Sequence, residues 1–564
     1  MTYDERPWLQ FYDPWVTPEV VVPESTLVQR IGQAATQFPN KPALHFLGLT
    51  MDYGELISQA HRFSQALLAY GCKPGDVVAI NLPNIPQFVV ALAGSLRVGC
   101  AVSGISPLLA PPELAYELND SRAKVLVTLD AIFEHRLKRV ADQIPALSHV
   151  IATGILDYLS PVKRWLGRLL KKVPSGRVGA LQGKHVVAFK EVLSGFPDSE
   201  PAVEVTPDHH CLVQYTGGTT GLPKGTILTH RNLIANLTQV ETWLQVKLGT
   251  ETLLSGFPFF HLAGLGFCGL ALSLGGTQVL IPNPRDTRRI VGEMQRYHPT
   301  FLLNVPSLYM MLMEDPAFRK LDFSAARLWV SGASPFPAEA IRELEAIIGP
   351  GKVMEVYGMT EASPLITMNP LERLRKTGTV GVPIPSTRVR LVDLDQGTHQ
   401  VPVGTEGELI ASGPQVMKGY LNKPKETAYA LREHDGEIWL HTGDIARMDQ
   451  DGFFTIVDRS KDMLNVAGFK VFSREVEEKL YEHPAIEVCA IVGVPNPKRP
   501  GTEIVKLVVQ PKAAFREQDT EKLKSDIIAF AREHFAPYKV PKLVEFTNAL
   551  PMTPVGKVDK KALR

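Results

Sequence analysis

The chain is expected to fold as a large α/β domain, with parallel and mixed sheets flanked by helices, followed by a small α+β domain. Three observations lead there. Strand-like and helix-like segments alternate through residues 1–130, the pattern of strands joined by crossover helices. A dense polar stretch, Asp458-Arg-Ser-Lys-Asp462, interrupts a strand-like run near the C-terminus. At 564 residues the chain is also longer than one hydrophobic core supports.

Taken in order, Thr26–Gln37 has helical periodicity, and Ala43–Phe46 and Met51–Tyr53 read as short strands around a turn. A helix over Tyr53–Tyr70 stops near Gly71. Val77–Asn81 is an apolar run of buried-strand length, followed by a helix over Ile85–Arg97, and Val125–Leu129 is another buried strand. The uncharged run Leu262–Pro284 has the length of a membrane span. Gly275-Gly276 splits it into a helix-like and a strand-like half, so a buried helix followed by a strand is the expectation. Leu328–Ser331 and Val353–Tyr357 read as strands that open into Gly332-Ala333-Ser334 and Gly358-Met359-Thr360-Glu361. Turns at the C-terminal ends of parallel strands are where such sheets bind ligands. The polar stretch 458–462 reads as an exposed link, which divides the chain into residues 1–457, a hinge at 458–462, and residues 463–564. In the last part Ser473 is placed to cap a helix over Arg474–Glu482. Strands follow at Val488–Val494 and Ile504–Gln510, then a helix over Glu521–His534.

Composition narrows the class. Hydrophobic residues make up 45 % and charged residues 21 %, an ordinary globular balance. The net charge of +1 gives no global field for nucleic acid. Five cysteines without CxxC spacing point to neither a zinc site nor a disulfide framework, and they suit a reducing, cytoplasmic compartment. The polar start of the chain does not read as a signal peptide.

The chemistry gathers around Tyr215–Gly225, Tyr-Thr-Gly-Gly-Thr-Thr-Gly-Leu-Pro-Lys-Gly. Thr216, Gly217, Gly218, Thr219, Thr220, Gly221 and Lys224 supply backbone N–H groups, hydroxyls and one cation, the donors that a polyphosphate needs. No glycine precedes Lys224 and no Ser or Thr follows it, so this is not a Walker A loop. His261 lies in the aromatic run from Phe257 to Gly264, placed either in the core or at the edge of a pocket for a carboxylate. Glu361 is either a helix N-terminal acid or a magnesium ligand. Asp444 follows Trp439-Leu-His-Thr-Gly, a tight turn from which a carboxylate could accept hydrogen bonds from a ribose. Lys557 follows a Pro/Gly turn and reads as presented on an exposed hairpin-like loop.

Residues 155–177 stand apart. Val162, Trp165, Leu166, Leu169, Leu170 and Val173 mark one helix face, while Lys163, Arg164, Arg168, Lys171 and Lys172 lie mostly opposite. Such a helix packs on its own domain or lies on an anionic membrane surface. The all-basic charge favours the membrane for residues 158–175, and with it a peripheral place on the inner face of the cell membrane.

Six motifs then stand in one order: Tyr215–Gly225, Phe257–Gly264, Gly332–Ser334, Tyr357–Glu361, His441–Asp444 with Asp458–Asp462, and Gly556-Lys557. Over nearly the whole chain this order resembles the adenylate-forming superfamily of acyl-CoA synthetases, luciferases and peptide-synthetase adenylation domains. With its insert ahead of the phosphate loop, the chain is most similar to bacterial long-chain fatty acyl-CoA ligases.

The resemblance implies an AMP-forming acid–thiol ligase with the adenylate-forming fold, using ATP, Mg²⁺ and coenzyme A, with a fatty acid as the other substrate. It implies that Thr216 to Lys224 hold the ATP phosphates and that Thr216 and Glu361 hold the metal. Gly332, Ala333, Ser334, Tyr357, Gly358, Met359 and Thr360 would surround the AMP moiety, and Asp444 and Arg459 would bind the ribose. His261, Gly264 and Leu265 would edge the acyl pocket, with Leu265 where some long-chain members carry a tryptophan gate. Lys461 would be the hinge residue, Gly468, Phe469 and Lys470 would flank CoA, and Lys557 would be the catalytic lysine of adenylation beside Lys224 and Glu361. Many relatives have proline where this chain has Ser473. A homodimer is implied by resemblance alone. The alternatives are a ligase for medium-chain or aryl acids, an adenylation enzyme loading a carrier protein in trans, and a non-catalytic membrane-binding relative. No carrier-like Asp-Ser-Leu motif follows the last motif, and the intact Lys224, Glu361, Asp444 and Lys557 speak for catalysis.

Overall fold

The structure is a computed structural model that describes residues 2–159, 173–216, 222–459, 462–466, 469–497, 502–553 and 557–564. Among these residues the large domain contains two long mixed sheets and a smaller antiparallel one. The first long sheet runs, edge to edge, through Gly419–Tyr420, Lys224–Thr229, His210–Thr216, Ala101–Gly104, Val77–Asn81, Val125–Leu129, His149–Thr153 and His185–Ala188. Its strands are parallel from His210–Thr216 onward, and antiparallel where Lys224–Thr229 and Gly419–Tyr420 join. The second contains the parallel strands Val353–Gly358, Leu328–Ser331, Phe301–Asn304, Thr252–Ser255, Thr277–Leu280 and Pro42–Phe46, with antiparallel strands at both edges.

The central strands are buried throughout and mostly apolar because helices cover both faces. Val77–Asn81 and Val125–Leu129 are buried at every position. The helix Leu27–Gln37 starts at Thr26, whose side chain and that of Gln29 form a reciprocal capping box. The uncharged run resolves into a helix, Leu262–Ser273, and a strand, Thr277–Leu280, both buried inside the large domain. Among the described residues no helix is long and apolar enough to cross a membrane.

The small C-terminal domain has its own core, which includes Val476, Leu480, Ile491, Leu507 and Ile527. Strands Ile486–Pro495 and Glu503–Pro511 pair antiparallel, Leu543–Phe546 adds in parallel, and the helices Ser473–Leu480 and Thr520–His534 pack on them.

Two local expectations are corrected. The stretch from Asp458 is not simply an exposed link: Asp458 lies in the strand Phe454–Arg459 and is buried. Its charge is compensated by partners far along the chain, which the polar run by itself cannot reveal. Ser473 is the first helical residue and not the cap, because Phe472 occupies the cap position without a side-chain acceptor. The acceptor comes from outside the helix: the Ser473 N–H donates to the Asp458 carboxylate.

Candidate active site

A cavity of about 1550 Å³ opens where the sheets, the antiparallel layer and the small domain meet. The strands His210–Thr216 and Lys224–Thr229 bring Thr216 and Lys224 to its wall, paired opposite each other. Residues 217–221, which include Gly217, Gly218, Thr219, Thr220 and Gly221, lie outside the described residues. The Lys224 ammonium stands 5.0 Å from the centroid of the Tyr420 ring. The Tyr420 hydroxyl donates to Glu361 Oε1 at 2.7 Å. Burial pushes the Glu361 carboxyl upward, while Tyr420, Arg459 and Lys224 act in the opposite direction.

A second cluster lies on the antiparallel layer. His441 pairs with Ile410 and Ile445 with Glu408, so Thr442, Gly443 and Asp444 bulge out of a continuous strand, Glu437–Met448. Asp444 therefore lies at a bulge within a strand, where the sequence suggested a tight turn. Gly443 has φ +70°, the left-handed region that suits glycine. The Glu408 carboxylate holds the bulge at both ends, accepting from Gly443 N–H at 3.0 Å and sitting 3.0 Å from His441 Nδ1. Asp444 accepts from the Tyr357 hydroxyl at 2.7 Å and pairs with Arg459 Nε at 3.0 Å. Both acceptor oxygens of a buried carboxylate are thus satisfied.

Between the clusters, the strands Leu328–Ser331 and Val353–Gly358 end at the cavity. Gly332, Ala333, Ser334, Tyr357, Gly358, Met359 and Thr360 all line it. Gly358 is held to glycine by crowding, since a Cβ there would meet the Pro364 carbonyl oxygen at 2.0 Å. Lys557, expected on an exposed loop, instead lines the cavity on a hairpin closed by the Met552–Val558 bridge, with Thr553 N–H donating to the Lys557 carbonyl at 2.7 Å. His261 lines it too and caps the helix Leu262–Ser273, accepting from Ala263 N–H at 3.3 Å. Burial first, and then the Lys557 ammonium, push the His261 imidazole down to about 3. It is therefore neutral at ordinary pH.

The apolar end of the cavity is lined by Leu237, Val240, Leu244, Ala263, Gly266, Phe267, Leu270 and Met310. Gly264 and Leu265 are corrected: they are buried but do not line it. Ala263, Gly266, Phe267 and Leu270 recur at helical spacing and form the inward face, so Leu265 turns into the core. Gly264 instead presses on backbone, where a Cβ would meet the Pro258 carbonyl oxygen at 2.5 Å. Phe469 is exposed, away from the cavity, and stacks on Tyr538 at 4.5 Å. Lys470 lies in the strand Phe469–Val471. Lys461 and Gly468 are outside the described residues. Sequence reasoning missed Tyr420 and Glu408, which carry no motif of their own.

Two family models match this chain: the AMP-binding enzyme model over residues 31–421 and the AMP-binding enzyme C-terminal domain over 475–557. The chain belongs to the AMP-binding enzyme family. Among curated members, a long-chain-fatty-acid–CoA ligase of Bacillus subtilis (strain 168) is 37% identical over 565 residues, covering 99% of this chain and 98% of its own. Among solved AMP-binding enzymes, an anthranilate CoA ligase in complex with anthranoyl-AMP superposes with a TM-score of 0.83 at 25% identity, covering 97% of both chains. ATP-bound MatB from Rhodopseudomonas palustris gives 0.80 at 26% identity, covering 96% of this chain and 98% of that one.

Proposed function

We propose that this AMP-binding enzyme is an AMP-forming fatty acyl-CoA ligase acting on long-chain acids. The observation that carries the reading is the single cavity with two ends. One gathers Lys224, Glu361, Asp444, Arg459 and Lys557, and the other is walled by leucines, Phe267 and Met310. A nucleotide fits the first and a long acyl chain the second, with the carboxylate between them.

In the first half of the turnover the acid's carboxylate oxygen attacks the ATP α-phosphorus and pyrophosphate leaves, giving acyl-AMP. Lys224 and the loop 216–224 hold the phosphates, and Lys557 stabilises charge on the oxygen joining acyl and phosphoryl groups. Asp444 and Arg459 fix the ribose. Neutral His261 adds no charge beside the carboxylate. In the second half the CoA thiolate attacks the acyl carbonyl and AMP departs. Lys557 belongs to the first half only, so the small domain turns about Lys461 between halves, and the face carrying Gly468, Phe469 and Lys470 then meets CoA. On this reading the large domain is 1–457, the hinge 458–462 and the mobile domain 463–564.

The donor set fits Mg²⁺. Glu361 and Thr216 offer one carboxylate and one hydroxyl on the cavity wall, and magnesium takes its remaining oxygens from phosphates and water. Bound there, it would neutralise phosphate charge and orient the triphosphate.

Production of AMP and pyrophosphate that requires acid, ATP and CoA together tests the activity, and ADP as the product would overturn it. The likeness to an anthranilate CoA ligase favours aryl acids as the second reading. Preference for benzoate-like acids over palmitate in a substrate panel would decide for it. We also place the enzyme in the cytoplasm as a homodimer, with residues 158–175 on an anionic membrane surface. Most of that stretch lies outside the described residues. Loss of co-sedimentation with anionic vesicles on deleting 158–175 is the expected result, and unchanged binding would overturn it.

A further inference from the structure

We propose that Lys560 is a positioning residue for Lys557, acting through a buried latch with Glu477, Ser473 and Asp458 that exists only when the small domain is docked for adenylation. This rests on the two-step reading above. The latch joins parts of the chain on opposite sides of Lys461. Asp458 is the penultimate residue of the strand Phe454–Arg459, and the last one, Arg459, makes the Asp444 pair. It is therefore fixed to the nucleotide side. Its Oδ1 accepts from Arg459 N–H at 2.7 Å and from the Ser473 hydroxyl at 3.1 Å, while Oδ2 accepts from Ser473 N–H.

Ser473 Oγ in turn accepts from Lys560 Nζ at 2.7 Å, and Lys560 Nζ pairs with Glu477 Oε1 at 2.8 Å. Glu477 is held by Ile491 N–H at 2.6 Å, inside the small domain's sheet. Lys560 begins the short 3₁₀ turn Lys560–Leu563, just past the bridge at Val558 that closes the Lys557 hairpin. A connected run of hydrogen bonds thus leads from the ribose pair to the hairpin of the catalytic lysine.

The charges show why the latch is specific to one arrangement. Lys560 is the cation shared by two carboxyls, Asp458 and Glu477, which burial pushes up and Lys560 pulls down. A turn about Lys461 that withdraws Lys557 also takes Ser473 and Lys560 away from Asp458. Docking is then stabilised by bonds that the acyl-transfer arrangement cannot make. A proline at 473 would give Asp458 neither donor, so the two-donor clamp depends on serine at this position.

The test uses the full chain and measures both halves separately: acid-dependent pyrophosphate–ATP exchange, and CoA-dependent AMP release from preformed acyl-AMP. Lys560→Met is expected to lower exchange by about tenfold or more and leave acyl transfer within about twofold, with Lys560→Arg recovering most of the exchange. Equal loss of both halves, no loss of exchange, or no recovery with arginine would overturn the latch. Should Lys560→Met fail to fold, Ser473→Ala removes only the hydroxyl link. It is then expected to lower exchange alone by about threefold, and an unchanged or evenly lowered pair of rates would overturn the latch. Absence of exchange in the wild-type enzyme would instead sink the ligase reading itself.

Discussion

The Tyr420 hydroxyl donates to Glu361 at 2.7 Å while the Lys224 ammonium stands 5.0 Å from the centre of the same ring. One side chain therefore contacts both the buried carboxylate and the Lys224 cation. Tyr420→Phe keeps the ring and removes the hydrogen bond. It is expected to cost about 1–2 kcal/mol of ATP binding, read as a rise of roughly tenfold in KM for ATP with the acid KM unchanged. Tyr420→Ala also removes the cation–π contact and is expected to cost more.

Lys557 lines the cavity close enough to depress His261. Lys557→Ala is expected to lower acid-dependent exchange by about a hundredfold or more, since on the proposed mechanism it removes the charge that stabilises the reacting oxygens. Conversion of preformed acyl-AMP to acyl-CoA is expected to persist. Equal loss of both half-reactions would contradict a lysine used in one half alone.

Gly266 lies on the inward face of the helix Leu262–Ser273, and a Cβ there would meet nothing nearer than Pro364 Cδ at 3.5 Å. Alanine fits, whereas leucine projects into the apolar end of the cavity. Gly266→Leu is expected to shift preference to shorter acids, raising KM for the longest substrates by about tenfold or more while KM for ATP stays put. A chain-length profile checks this.

Glu117 is buried on the cavity wall near the Lys224 hairpin, and its carboxyl is pushed from 4.5 up to about 8, first by burial and then by Glu113 and Asp120. A raised acid favours the folded state fully below the unfolded value and loses that contribution as pH rises through the folded one. Glu117→Gln is therefore expected to be near neutral for stability at pH 4 and stabilising by pH 9. The gain develops between about 4.5 and 8 and reaches at most about 5 kcal/mol. Thermal melts of both proteins across that range measure it. A Tm difference that does not grow with pH would contradict the assignment.

The alternation of strands and helices and the order of the motifs could be read along the chain without coordinates. Each of those signals is local: apolar runs set buried strands, a glycine-rich turn exposes N–H groups, and a Gly-Gly pair breaks a helix. Val77–Asn81 and the hairpin at Lys224 were legible for that reason. Tertiary structure alone decided that Tyr420 reaches Glu361 across 59 residues, and that Asp458 is buried under Ser473 and Lys560 where a polar run suggested solvent. It also decided that Ala263, Gly266, Phe267 and Leu270, and not Gly264 and Leu265, face the apolar end of the cavity. The physical reason is the same in each case. Which side of a helix meets the cavity, and which distant charge compensates a carboxylate, depends on how whole elements pack, and no short window of residues contains that information.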